Sequence, residues 1–223
     1  KNAFPTLVKI VKKLFKNAVF DLYGDMNQAI FSYSSINDWN EVSENIFKGN
    51  NSYYELIKSY RTTIEIMDIA NLVGNVTNLV KSNSVIRHGD KVRAIKYDAK
   101  CFNQQILDVV GEEAKKYSTV AVLCKSNKEC ERINEVLLLN GVKSKLLNEK
   151  NNQIEGVVLL TIQEAKGLEF DSVILNDVSK DNFDKNSGHD MRLLYVGLTR
   201  AMHNMIIMSK GEPSEALKPV FEN

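Results

Sequence analysis

Short apolar runs that alternate with helix-length segments limit this chain more than any other feature of its sequence. The runs at residues 120–124, 157–162, 173–175 and 205–208 are dominated by Val, Ile, Leu and Met, and apolar stretches broken by lysine lie at 94–97 and 142–147. Apolar character that is nearly continuous, rather than alternating with polar residues, marks strands covered on both faces. Helical patterns lie between most of them, at 104–116, 128–140 and roughly 190–202, the second followed by Gly141 in a helix-stop position. Strands alternating with helices of this length predict an α/β fold, with a mostly parallel sheet and helices on both faces.

Upstream the pattern is looser. Residues 4–15 read as a helix, and the apolar run 19–23 reads as a buried strand ending in Gly24 and Asp25. An amphipathic helix is expected over 38–47, a short strand over 54–57, and a helix over 63–80. That last helix has Thr62 or Thr63 as its N-cap and Glu65 in its first turn, with Ile66, Ile69, Ala70 and Val73 on one face. Three polar stretches, 82–91, 148–155 and 180–188, read as loops.

Charge and cysteine usage exclude several classes. Of the 223 residues 43% are hydrophobic and 26% charged, and the net charge of +1 gives no global argument for a nucleic-acid partner. Any such surface has to be local. Cys101, Cys124 and Cys130 form no CxxC pair, which points to buried thiols in a reducing, cytoplasmic setting. His88, His189 and His203 lie in separate segments without ligand spacing, so no metal site is expected. No apolar run approaches the ~20 residues that span a bilayer, and the stretch from Lys1 to Lys16 is too interrupted for a signal peptide. Because the first residue is Lys1 rather than Met, the chain reads as an excised piece.

Ligands of open α/β sheets gather past the carboxyl ends of strands, so the polar segments there carry the chemistry. Four stand out. Gly24-Asp25-Met26-Asn27-Gln28-Ala29-Ile30-Phe31 places an acid and an amide at a strand exit, and Ser59-Tyr60-Arg61-Thr62-Thr63 places a stacking ring and a guanidinium at a helix entrance. The stretch Leu160-Thr161-Ile162-Gln163-Glu164-Ala165-Lys166-Gly167-Leu168-Glu169 combines polar groups with a lysine and a glycine between two strands. The fourth, Arg192-Leu193-Leu194-Tyr195-Val196-Gly197-Leu198-Thr199-Arg200-Ala201, brings Arg200 to a helix end. The phosphate-loop pattern GxxxxGK[ST] occurs nowhere in the chain.

In order and spacing these segments resemble motifs III, IV, V and VI of UvrD/Rep-like superfamily 1 helicases, and Val120–Asn127 resembles the intermediate motif IVa. The resemblance runs from about Val19 to Met208. Arg87-His88-Gly89, the run from Asp177 to Phe183, and the His in TRAMH (Thr199 to His203) are similar to the HelD and helicase IV branch. The resemblance implies a RecA-like (P-loop NTPase) fold, with residues 1–50 a remnant of the first RecA-like domain and 51–223 the second. It implies an ATP-dependent DNA helicase or translocase, acting on single-stranded or duplex DNA and of a kind used in DNA repair. The alternative is a HelD-like ATPase that binds and remodels or recycles RNA polymerase.

The resemblance also assigns roles. Gln28, Tyr60, Arg61, Gly167, Glu169 and Arg200 would line ATP held with Mg2+. Gln28 would sense the γ-phosphate, Tyr60 would stack on adenine, and Glu169 would hold the ribose. Arg61 and Arg200 would act as arginine fingers, because phosphoryl transfer spreads charge over oxygens that cations must meet. Phe31 and Tyr33 would stack on bases, and Lys125, Asn127, Thr161, Gln163 and Lys166 would contact backbone phosphates. Phosphate loop and Mg2+ ligands are expected in the first domain of the intact protein, so the piece alone is expected to be inactive. Three departures from the family pattern stand out: Gln163 where His is usual, Tyr33 where Trp is usual, and Ser34 where Arg is common. Only about 100 residues separate Arg61 from Thr161, too few for the large inserted subdomain, which weighs against strand separation and fits either a translocase or a polymerase-displacing factor.

Overall fold

The computed structural model describes residues 3–30, 38–56, 58–76, 83–84, 87–147 and 154–222. The expected base-stacking residues Phe31 and Tyr33, and Ser34 with them, lie outside the described residues. The chain divides into two compact units, Lys1–Leu56 and Ile57–Asn223.

The first unit is small and helical. Helix α1 (Ala3–Leu14) carries Pro5 in its first turn, where a missing N–H costs nothing, and buries Pro5 and Val8. Val8 packs with Val42 and Ile46, against which Phe4, Leu22, Trp39 and Phe47 also lean. Helix α2 (Trp39–Val42) starts where the Asp38 side chain accepts from the Asn40 N–H at 2.8 Å, and it runs on through a wider turn, Ser43–Phe47. Lys12 closes the packing: its Nζ donates to the Ile46 carbonyl at 2.5 Å and lies 4.4 Å from the centroid of the Phe47 ring.

The strand expected over 19–23 does not form. Val19 is 91% exposed and Tyr23 84% exposed. An apolar run becomes a strand only where a neighbour accepts its ladder hydrogen bonds, and the described residues of this unit hold no other strand.

The second unit opens with β1 (Lys58–Ser59), which begins directly after the strand expected over 54–57 and pairs in parallel with β2 (Asn83–Ser84). Tyr54 and Leu56 are instead exposed. Helix α3 (Ile64–Val76) lies between β1 and β2, and Thr63 Oγ1 accepts from the Ile66 N–H at 3.4 Å, as its expected cap should. The main sheet follows: β3 (Arg93–Tyr97), α4 (Phe102–Glu113), β4 (Thr119–Cys124), α5 (Asn127–Leu139), β5 (Ser144–Leu146), β6 (Gly156–Thr161), β7 (Phe170–Leu175), α6 (Gly188–Leu198) and β8 (Ala201–Lys210). A last short helix, α7 (Lys218–Phe221), ends the chain.

The six strands β3 to β8 lie in the order β3-β8-β7-β4-β6-β5, every pair parallel. Both faces are covered, which is why the interior strands β8, β7, β4 and β6 are largely apolar, while β3 and β5 at the ends of the sheet carry charged residues and are partly buried. Val120, Val122 and Cys124 join α4 and α5 in one core with Ile106, Val110, Ile133 and Leu137. Ala121 and Leu123 alternate with them and are equally buried. Against the other face Gly197 of α6 approaches so closely that an added Cβ would meet Leu175 at 3.0 Å. This doubly covered parallel sheet is the α/β, RecA-like arrangement expected from the sequence.

Helix α6 ends at Leu198, whereas its pattern reads on to 202. Thr199 causes the stop. Its Oγ1 donates back to the carbonyls of Tyr195 and Val196 at 3.0 and 3.1 Å, satisfying groups that another helical turn would have used. Ala201 is then free to pair with Phe170 and open β8.

Candidate functional site

The parallel sheet has two edges of opposite character, and the expected site residues divide between them. Strands β4 and β6 end side by side, Cys124 paired with Thr161. The residues that follow, Lys125 and Asn127 from β4 and Gln163 from β6, therefore share the carboxyl edge, and Lys166 lies on the turn that leads from it toward β7. Strands β7 and β8 begin side by side, Phe170 paired with Ala201. The residues just before them, Glu169 and Arg200, therefore share the amino edge. The six residues of β7 put about 20 Å between the two edges.

The carboxyl edge was the expected ligand side. It is also where the topology reverses: β4 leads through α5 toward β5, while its neighbour β7 leads through α6 toward β8. Such a reversal opens a crevice at the strand ends. Thr161 is nearly buried, its Oγ1 donating to Glu164 Oε2 at 2.8 Å. Gln163 and Lys166 are exposed. Lys125 is turned inward. Its Nζ lies 2.8 Å from Asp190 Oδ1, donates to the Asn182 carbonyl, and sits 4.7 Å from the centroid of the Phe183 ring. Beside it Asn176 donates to Glu129 Oε1 at 2.6 Å. Burial, followed by the charge of Asp177, raises the Glu129 carboxyl above its ordinary range.

The amino edge gathers four of the residues expected at a nucleotide, Arg61, Gly167, Glu169 and Arg200. Arg61, three residues before α3, places Nε 2.5 Å from Glu169 Oε1, with both side chains partly exposed. Gly167, in the same turn, has φ +88°, a conformation that side chains resist, and lets the chain come round to Leu168 and Glu169. Arg200 is fully buried. Its Nε donates to the Val196 carbonyl at 3.0 Å, Nη1 to the Leu168 carbonyl at 3.2 Å and Nη2 to Thr199 Oγ1 at 3.1 Å. The Phe170 N–H in turn donates to the Arg200 carbonyl at 3.0 Å. Segments far apart in sequence thus meet at Leu168 and Glu169. Tyr60, one residue before Arg61, is 73% exposed. Gln28 belongs to the first unit, in the turn Met26–Gln28, where its Nε2 donates to Asp25 Oδ2 at 2.6 Å.

Two features near this edge escaped the sequence reading. Glu113 is buried at the end of α4, and its Oε2 accepts from Ser172 Oγ and Asn204 Nδ2, each at 2.6 Å. Ser172 and Asn204 are register partners just past the irregularity near Phe170, so one carboxyl clamps β7 to β8. A signal existed, since Glu113 continues the buried stripe of Ile106, Val109 and Val110. The second feature is a cavity of about 420 Å3 lined by Arg87, His88, Tyr117 and His203 among others. There Arg87 contacts the His203 ring, while Glu65 accepts from His88 at 2.9 Å and from the Gly89 N–H at 2.8 Å. Those bonds, the His88 contact foremost, lower the Glu65 carboxyl to about 2. Among the described residues no group of three or more His, Cys, Asp or Glu side chains could hold a metal ion, and no helix is long and apolar enough to cross a membrane.

Similarity to known proteins follows the same segments. Residues 143–212, which include the turn to Glu169, all of α6 and Arg200, match the UvrD-like helicase C-terminal domain. A "Probable DNA helicase" of Mycoplasma pneumoniae (strain ATCC 29342 / M129 / Subtype 1) is 24% identical over 241 residues, covering 95% of this chain and 43% of that protein. A "Probable DNA helicase II homolog" of the same organism is 34% identical over 77 residues, covering 30% of this chain and 10% of that protein. The chain therefore spans less than half the length of either relative. The solved C-terminal domain of a possible DNA helicase from Lactobacillus plantarum WCFS1 superposes with a TM-score of 0.60 at 29% identity, covering 72% of this chain and 92% of that one. Residues 143–212 are thus similar to the UvrD-like helicase C-terminal domain, and the parallel sheet around them has the fold of a solved domain from a possible DNA helicase.

Proposed function

We propose that this chain is part of the motor of an ATP-dependent DNA helicase or translocase, in which its second unit completes an ATP site from one side. The observation that carries this reading is the meeting of Arg61, Glu169 and Arg200 at the amino edge of the sheet. Two guanidinium groups held there match the need of phosphoryl transfer, whose developing charge lies on phosphate oxygens and whose catalysis is positioning and electrostatics. Arg61 is partly exposed, and the Glu169 carboxyl holds its side chain in place until a phosphate competes for it. Arg200 spends one donor on the Leu168 carbonyl, an acceptor that a phosphate oxygen would replace. Tyr60, exposed beside Arg61, offers a ring for the base.

Gripping the triphosphate needs a phosphate loop, which these residues do not contain, and Mg2+ would be held by the domain that supplies it. Asn127 and Gln163 would meet nucleic-acid phosphates at the opposite edge, where Gln163 is exposed, joined by Lys166, exposed on the turn that leads away from it.

The test is ATP hydrolysis by the full-length protein, measured without nucleic acid, with single-stranded DNA, with duplex DNA, and with RNA polymerase. The proposal expects turnover that rises with DNA. Turnover that responds to RNA polymerase and ignores DNA would instead assign the motor to a protein-remodelling ATPase.

A further inference from the structure

Helix α6 runs from one edge of the sheet to the other. Its 11 residues span about 16 Å at 1.5 Å per residue, close to the length of the strands beneath. Its first turn carries Asp190, and Arg200 follows two residues after its last turn.

Each end is fixed by polar contacts. At the first, Asp190 Oδ1 meets Lys125 Nζ at 2.8 Å, while Oδ2 accepts from the Asp184 N–H at 3.2 Å. The Lys125 ammonium is held in turn by the Asn182 carbonyl and the Phe183 ring. At the second end the Arg200 guanidinium hangs on the Val196 carbonyl and on Thr199 Oγ1. Between them Met191, Leu193, Leu194, Val196 and Leu198 are buried. Apolar burial is non-directional. It presses the helix onto the sheet, and close packing such as that of Gly197 on Leu175 resists sliding along the axis. The polar contacts at the two ends add directional restraint to that position, and Arg200 moves with the helix because it is bonded to the last turn.

We propose that Asp190, clasped by Lys125, is a positioning residue for Arg200. The clasp sets the axial placement of α6 from the carboxyl edge and so aims the guanidinium at the amino edge, about 16 Å away. It joins the edge that carries Asn127 and Thr161 to the edge that carries Arg61 and Glu169. The inference rests on the reading of Arg200 as a group that acts on nucleotide phosphates.

The experiment uses the full-length protein with Asp190→Ala, Lys125→Met, the double variant, and Asp190→Glu. Each single variant is expected to lower kcat for DNA-stimulated ATP hydrolysis by about tenfold, because misplacing a positioned group by about 1 Å costs up to 10²-fold. The ATP dissociation constant should stay within about twofold, since Arg200 is asked only to meet charge that develops in the transition state. The double variant should be no worse than either single one, and Asp190→Glu should recover part of kcat. Wild-type kcat in both single variants, or losses that multiply in the double variant, would overturn the clasp. Amide hydrogen exchange on the same samples decides the matter independently. Faster exchange across Tyr195 to Arg200 in Asp190→Ala supports the clasp, and unchanged exchange there overturns it whatever the turnover. A wild-type protein that hydrolyses no ATP would sink the functional reading, while the exchange result would still judge the clasp.

Discussion

Arg61 Nε and Glu169 Oε1 lie 2.5 Å apart, joining the entrance of α3 to the turn that leads into β7 across more than 100 residues of sequence. The pair is open to water on one side. An exposed ion pair of this kind contributes only about 0.2–1 kcal/mol to stability, so its value lies in where it holds the guanidinium. Both members sit at the edge where Arg200 is bonded to the Leu168 carbonyl.

Arg61→Ala should therefore separate activity from stability. Its melting temperature should fall by no more than about 2–4 °C, while DNA-stimulated turnover of the full-length protein drops about 10²–10³-fold. Calorimetry and steady-state kinetics on the same sample read both quantities. A large loss of stability with proportionate loss of activity would make Arg61 a structural residue.

Glu113 should behave in the opposite way. Replacing it with Ala leaves Ser172 Oγ and Asn204 Nδ2 buried without their shared acceptor, at a cost of about 2–4 kcal/mol. Glu113→Gln keeps an oxygen in place and should cost less. Urea unfolding midpoints of the two variants test the order, and an Ala variant as stable as the Gln variant would contradict it.

The acid limb of stability should carry the mark of Glu65. Its carboxyl is lowered from 4.5 to about 2, chiefly by the His88 contact. A carboxyl lowered on folding adds stability that is fully present above about pH 4.5 and disappears as pH falls toward 2. Glu65→Gln should remove this part of the pH dependence, leaving a flatter melting-temperature profile between those limits. An unchanged profile in Glu65→Gln would show that the carboxyl is free in solution.

Thiol reactivity should sort by position. Cys101 is exposed, whereas Cys124 and Cys130 are buried. Contact with Cys130 and burial also raise the Cys124 thiol well above its ordinary value, which keeps it protonated and unreactive. Iodoacetamide followed by mass spectrometry should label Cys101 in the native protein, and the other two only after denaturation. Native labelling of Cys124 at the rate of Cys101 would contradict the packing of β4 against α5.

Much of the fold was legible because covered strands must be apolar: the runs around 120–124, 157–162 and 205–208 each became a central strand. The run at 19–23 looked the same and failed, because strand formation depends on a neighbour that local sequence does not report. Thr199 ended α6 early through a side-chain bond that apolar periodicity ignores. Within the site, residue type and order singled out Arg61, Glu169 and Arg200. The rule that ligands gather at carboxyl ends gave no hint that these three share the amino edge, which follows from the β7–β8 register for Glu169 and Arg200 and from the ion pair with Glu169 for Arg61. Lys125 and Asp190 stand 65 positions apart, so no local pattern could have paired them. Glu113 was the readable omission, a charged residue on a buried stripe.

The most direct test concerns Arg200 in the full-length protein: ATP binding and DNA-stimulated ATP hydrolysis measured side by side for wild type, Arg200→Ala and Arg200→Lys. Circular dichroism establishes that each variant is folded. Lysine is included because it restores charge without the planar fork of donors that arginine presents. The account predicts that both variants bind ATP nearly as wild type does, while turnover falls by about 10³-fold or more in Arg200→Ala. Folded Arg200→Ala protein that binds ATP and turns it over at close to the wild-type rate would contradict it.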